Sequence, residues 1–241
     1  MRAIIDLALL GILIICTWGG YKKGVLMGVG GILCIIVAIY GANLLANLFS
    51  YDVVPALKPF VNGYTERLLS DDDSKVLREL GWEDYDFSVE DLLDRFPDRR
   101  AEFAAKCYEA VGIDAAAAAH MAERAVTYAA ESGGTMTNAT VQILCETVGY
   151  VGCFILAFLL IIIALTVIGN LPNLSYKIPN LDLFNDIGGA VLGLVTGLMF
   201  CVLLVWALKF MGMILGSGTL SGTRLGGWLL RRDFLLRFLG I

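Results

Sequence analysis

The chain has 241 residues, is 58% hydrophobic and carries a formal net charge of −5. A water-soluble domain of this length has no means of hiding so much apolar surface. The acidic balance also excludes a nucleic-acid binder, which needs a basic face.

The apolar residues fall in four stretches, near Ile4–Trp18, Val25–Leu48, Val148–Ile168 and Ile187–Met211. A membrane-spanning helix needs roughly 20 mostly apolar residues. In hydrocarbon every backbone N–H and C=O must be satisfied internally, so such stretches must be helical. The expected fold is an all-α integral membrane protein with four transmembrane helices, two plus two, and a helical extramembrane insert. The boundaries read as a first hairpin over 1–49, an acidic insert over 50–136, a second hairpin over 137–215 and a tail over 216–241. The lipid bilayer is thus the first partner, and a multi-pass protein of the plasma (inner) membrane is the expected setting.

Asp6 lies near the start of the first span. Two readings stay open: an interfacial carboxylate near the helix N-terminus, or a functional carboxylate facing a bundle interior. Gly19-Gly20-Tyr21 is followed at once by Lys22-Lys23 and a second apolar run, which reads as a tight hairpin turn and not as a removed leader. Two lysines in so short a loop favour the cytoplasmic side, which puts the acidic insert outside the cell. Arg224, Arg231, Arg232 and Arg237 in the tail pull the other way; the short loop is weighted more heavily because the rule works best there.

Residues 49–147 hold 19 of the 23 acidic and 9 of the 18 basic side chains, a local net charge of −10. Within this block Pro55–Leu69 reads as a short helix. Ser88-Val89-Glu90-Asp91 resembles a capping box with Asp in the Glu position. Pro97–Val111 reads as a helix stopped by Gly112, and Asp114–Glu131 as an alanine-rich helix ended by Gly133-Gly134. Asp71-Asp72-Asp73 lacks the alternating spacing of a calcium loop, and His120 has no patterned partner. A protein partner for the acidic insert is one expectation from its charge.

Beyond the third span, Asn185 is placed to cap the fourth, with Asp186 on its first turn. Glycines recur at a spacing of four in three sets: Gly20, Gly24 and Gly28; Gly189, Gly193 and Gly197; Gly218, Gly222 and Gly226. Four residues make nearly one helical turn, so each set forms a groove on one face where two backbones approach closely. Packing of the second span on the fourth within one chain, and self-association into a homo-oligomer, are the two uses of such faces. The tail Thr223–Ile241 mixes Trp228, Phe234 and Phe238 with four arginines and reads as an interfacial segment.

Six cysteines, Cys16, Cys34, Cys107, Cys145, Cys153 and Cys201, show no C-x-x-C spacing and read as small buried hydrophobes. No H-E-x-x-H, G-x-S-x-G or phosphate loop is present, and no paired aspartates lie in the spans. The expectation is a non-enzymatic protein with no cofactor and no metal.

The order of these features resembles the colicin V production protein family of bacterial inner-membrane proteins. It rests on Ile5-Asp6, on Gly20-Tyr21-Lys22-Lys23-Gly24, and on Asn185-Asp186-Ile187-Gly188-Gly189 running on to Gly193 and Gly197. It covers the membrane part, about 60% of the chain. Two departures stand out: Asp186 replaces the basic residue usual after the Asn, and the insert is longer than the family's spacer. The resemblance implies four spans and a role in toxin production or export and in envelope homeostasis, as an oligomeric pore or as a membrane-anchored scaffold or sensor. It supplies a process and not a mechanism.

Overall fold

The computed structural model describes residues 2–70, 74–82, 87–170, 182–210, 223 and 226–227. The acidic turn at Asp71–Asp73, the loop holding Lys177 and Pro179, Gly218, Gly222 and nearly all of the tail lie outside the described residues. The described chain is all-helical: α1 (Arg2–Ser70), α2 (Lys75–Glu79), α3 (Val89–Arg95), a 3₁₀ turn (Pro97–Arg99), α4 (Arg100–Val111), α5 (Ala115–Ser132), α6 (Met136–Asn170) and α7 (Asp182–Phe210). No strand occurs among the described residues.

Three of these helices are long and apolar enough to cross a membrane: Ala3–Leu69, Met136–Ile168 and Phe184–Phe210. At most 39% of the most apolar window of any of them is covered by the rest of the chain. Ile4, Leu7, Ile15, Leu160, Ile163 and Val191 all stand largely exposed. Such a surface is a liability in water and is what lipid tails require.

The chain divides into two compact units. The first draws on Met1–Asn47 and Cys153–Leu208. Its core sets Ile5 and Leu9 of α1 against Cys201 and Val205 of α7, with Ile12, Leu13, Leu204 and Leu208 packed around them. Aromatic side chains join α6 to α7: Phe154 meets Trp206 edge-on at 5.0 Å between centroids, and Phe158 meets Phe200 at 6.0 Å. Edge-to-face pairs of this kind add about 0.5–1.5 kcal/mol beyond area burial. Thr17 and Thr196 donate to the carbonyls one turn back, Leu13 and Leu192, so neither hydroxyl needs water.

The second unit is built on Leu48–Gly152, with Lys209 joining it. Helix α1 differs from expectation here. It does not end at Leu48 with a separate helix from Pro55; it runs unbroken from residue 25 to Ser70, through Pro55 and Pro59. The two prolines are four residues apart, and both are exposed. They therefore share one face, where water can satisfy the carbonyls that lose an amide partner.

The other local expectations have clear causes in the structure. Ser88 Oγ accepts from the Asp91 amide at 3.2 Å and donates to the Asp91 carboxylate at 2.6 Å, starting α3. Asp114 Oδ1 accepts from the Ala116 amide at 3.2 Å, starting α5. Gly112 and Gly133 end α4 and α5 with φ of 97° and 63°. The core of this unit gathers Phe103, Tyr108, Leu92, Leu93 and Met121, and the alanines of α5 bury their face at 117, 118, 122 and 125. Trp82 stacks on Phe103 at 6.3 Å. Tyr108 is fully buried, and its hydroxyl donates to the Thr140 carbonyl at 3.0 Å, linking α4 to α6. Burial pushes the neighbouring Cys107 thiol up to about 12, which leaves it an inert core side chain.

Tyr108→Phe removes that bond while keeping the ring and should lower stability by about 1 kcal/mol. Tyr108→Ala also opens a cavity and should lower it by about 3–5 kcal/mol. Thermal melts followed by the helical circular dichroism signal would give this order; equal effects would show that the hydroxyl, and not the packing, dominates.

Candidate functional site

The sequence Gly20-Tyr21-Lys22-Lys23-Gly24-Val25 interrupts α1 at a single residue. Gly24 has φ 78° and ψ 179°, a backbone conformation open essentially only to glycine. The turn is therefore tighter than expected. Tyr21, Lys22 and Lys23 belong to the helix before the break and do not form a loop.

Neighbours along α7 give the direction of each limb. In the limb before the break, Cys16 lies against Gly193 and Leu13 against Gly197. Further back, Leu9 O accepts from the Cys201 thiol at 3.5 Å. Numbers fall on one helix as they rise on the other, so this limb runs antiparallel to α7. In the limb after the break, Gly28 lies against Leu192 and Gly31 against Thr196. Numbers rise together, so this limb runs parallel to α7. The two limbs of α1 run in opposite directions from Gly24.

Asn185 sits at the apex. It does not cap its own helix, because α7 begins three residues earlier at Asp182. Instead its Oδ1 accepts from the backbone amide of Val25 at 3.0 Å. The first amides of a helix have no partner within it, and a side-chain oxygen at the residue before usually supplies one. Gly24 has no side chain, so an asparagine 160 positions away in sequence does this from another helix. Asn185 is 5% exposed, and a Cβ on Gly24 would strike its side-chain amide. Asp186, on the next position, is half-buried.

From this apex the two inner glycine sets run together as a seam. A Cβ on Gly20 would overlap the carbonyl oxygen of Gly189 and come within 2.8 Å of the Gly193 Cα. One on Gly189 would overlap Gly20 O and come within 2.8 Å of the Gly24 Cα. A Cβ on Gly193 would meet the Cys16 carbonyl oxygen, and one on Gly197 would lie 3.3 Å from the Leu13 Cα. These obstacles are backbone atoms that cannot rotate away. Gly20 and Gly24 thus pack directly on Gly189 and Gly193, while Gly28 receives a leucine side chain. The first set packs along its whole length, Gly20 and Gly24 at the turn included. Of the third set only Gly226 is described.

Lys22 and Lys23 are exposed beside the apex. Lys22 Nζ lies 5.3 Å from the Trp18 ring centroid, and Trp18 lies 6.3 Å from Tyr21. A Trp, a Tyr and two lysines at a helix end is the composition of a membrane–water interface. Asp6 is half-buried and stands beside the Ile5–Leu9 cluster. It is 18 residues from Gly24, about 27 Å along the helix, so the structure does not bring Asp6 to the site formed by Lys22, Lys23 and Asn185. Among the described residues no nucleophile and base converge at the apex, and no three metal-ligating side chains gather. The arrangement holds two helices and a turn together.

Asn185's bond to Val25 was outside the reach of sequence reasoning, since a cap is ordinarily sought on its own helix. The available signal was an asparagine one turn before a glycine-spaced face, together with a glycine lacking any capping residue at the partner turn. Compared with family models, curated proteins and solved structures, the chain matches none.

Asn185→Ala would leave the Val25 amide buried without a partner and should destabilise the protein by about 1–3 kcal/mol, read by denaturant unfolding in micelles. Gly193→Leu should disrupt the seam far more severely than Gly11→Leu, whose Cβ would meet nothing within 4 Å. Similar losses for these two glycines would mean that the seam contributes no more than general helix propensity.

Proposed function

We propose that this chain is a non-enzymatic, multi-pass protein of a bacterial inner membrane, of the colicin V production type, that supports toxin production or export and envelope homeostasis as a membrane-anchored scaffold. One observation carries the reading. The two motifs on which the resemblance rests, Gly20–Gly24 and Asn185–Gly193, lie far apart in sequence and meet as one structural element. A shared architecture explains why both motifs occur in one chain.

The reversal at Gly24 supports counting α1 as two spans, four in all with α6 and α7. An even number places both ends of the membrane part on one side. The exposed lysines at the apex favour the cytoplasm for that turn, which assigns the acidic block to the extracytoplasmic side.

The choice of scaffold over oligomeric pore follows from the seam. Among the described residues, the two glycine sets at 20–28 and 189–197, which could drive self-association in lipid, are occupied within one chain. A ring of copies would have to use the aliphatic surface that suits lipid equally well. The pore reading retains one observation, the half-buried Asp6 in an apolar limb.

Removing the chain from its host should lower toxin yield or resistance to envelope stress, and reintroducing it should restore both. Purified protein in liposomes should leave the vesicles tight to ions and small dyes. Leakage abolished by Asp6→Asn would replace the scaffold with a pore. Full yield and resistance in the deleted strain would overturn the process itself.

A further inference from the structure

We propose that the outer face of α5 and the groove it forms with the start of α6 are a docking seat for a basic segment of a partner protein; this rests on the scaffold reading above. The groove has a volume of about 430 Å³, and its walls carry His120, Glu123, Arg124, Tyr128, Glu131 and Glu146. That volume falls within the range of ligand-binding clefts.

The sequence of α5 builds this face directly. Ala117, Ala118, Met121, Ala122 and Ala125 are buried. The helical period then turns His120, Glu123, Thr127, Tyr128 and Glu131 outward in one stripe.

Charge selects the occupant. Within the block three basic side chains are engaged closely by acids: Lys106 by Glu79 and Glu109, both at 3.0 Å, Arg100 by Asp94 at 2.7 Å, and Arg99 by Glu102 at 2.9 Å. Within the groove Glu146 is met twice from inside the chain. Arg124 stands 3.7 Å from it, and the Gln142 amide donates to it at 2.7 Å. Glu123 and Glu131 have no ion-pair partner among the described residues and are exposed. Two negative charges therefore remain on one wall, in a block of net charge −10 that steers cations toward it.

Spacing narrows the chemistry further. Eight residues of helix separate Glu123 from Glu131 by about 12 Å. A single ammonium, such as a lipid amine headgroup, cannot reach both. Two basic side chains four residues apart on an extended peptide lie about 13 Å apart and match the pair. Tyr128, between the two acids, offers a ring face to an arginine guanidinium.

The test uses the full chain in uncharged micelles and a fluorescent peptide with two arginines four residues apart, read by anisotropy. Glu123→Gln/Glu131→Gln should weaken binding about tenfold or more. Glu66→Gln/Asp98→Asn, which removes the same charge from exposed positions elsewhere, should change it little. Equal losses in both double variants, equal binding of a peptide with adjacent arginines, or displacement by vesicles of an amine-headgroup lipid would each overturn the proposal. In the deleted strain, Glu123→Gln/Glu131→Gln should fail to restore stress resistance. Full restoration by that variant would remove the docking seat and leave the scaffold standing, whereas failure of the wild-type chain to restore would remove the scaffold reading itself.

Discussion

A helix that reverses at one residue leaves a backbone amide with no partner in its own helix, and here that amide at Val25 is answered by Asn185 from another helix. The constraint behind it is severe. Leaving such an N–H unpaired costs about 1–3 kcal/mol, and reversing a helix at one residue requires a conformation that only glycine adopts readily. Gly24 meets the second requirement, and the first is met from outside α1 by Asn185. The hairpin and the helix that receives it are therefore linked: α7 must lie where Asn185 can reach the break.

The glycine seam is what lets α7 lie there. With side chains at Gly20, Gly189 or Gly193, the two backbones would be held apart by at least a methyl group, and Asn185 would lose its bond. In the same way the seam sets the register of the remaining contacts, from Leu13 on Gly197 to Leu9 beneath Cys201 and Ile5 near Val205. Close packing takes the part that hydrophobic drive plays in water. The second unit follows the other logic: aromatic and aliphatic side chains form its core, helix caps fix its ends, and its surplus acids stay outside. Closely packed helices apolar enough to cross a membrane and a charged helical block are both present among the described residues.

Much of this was legible in the sequence because the physics concerned is local. Hydropathy marks the apolar helices, and the caps at Ser88, Asp114, Gly112 and Gly133 are set by residues within a few positions of each other. The glycine spacing likewise marks faces able to pack closely. What the sequence withheld was pairing. Nothing in the spacing says that Gly20 meets Gly189, or that Asn185 serves Val25 and not its own helix. The length of α1 was hidden for a different reason. Pro55 and Pro59 read as breakers, yet their shared exposed face makes them tolerable. The groove beside α5 was also invisible, since it needs Glu146 from another helix, and that Glu123 and Glu131 have no ion-pair partner among the described residues appears only in the folded chain.

The reversal at Gly24 is tested most directly by one distance. Spin labels carried on unnatural amino acids at the exposed positions Leu10 and Val37 would leave the six native cysteines untouched. Double electron–electron resonance on the protein in nanodiscs then reads the separation across the break. Two antiparallel limbs predict a value well below half of the about 40 Å that 27 residues of unbroken helix impose. A narrow distribution near 40 Å would show that α1 continues straight through Gly24, and the hairpin, the seam and the four-span architecture would fall together.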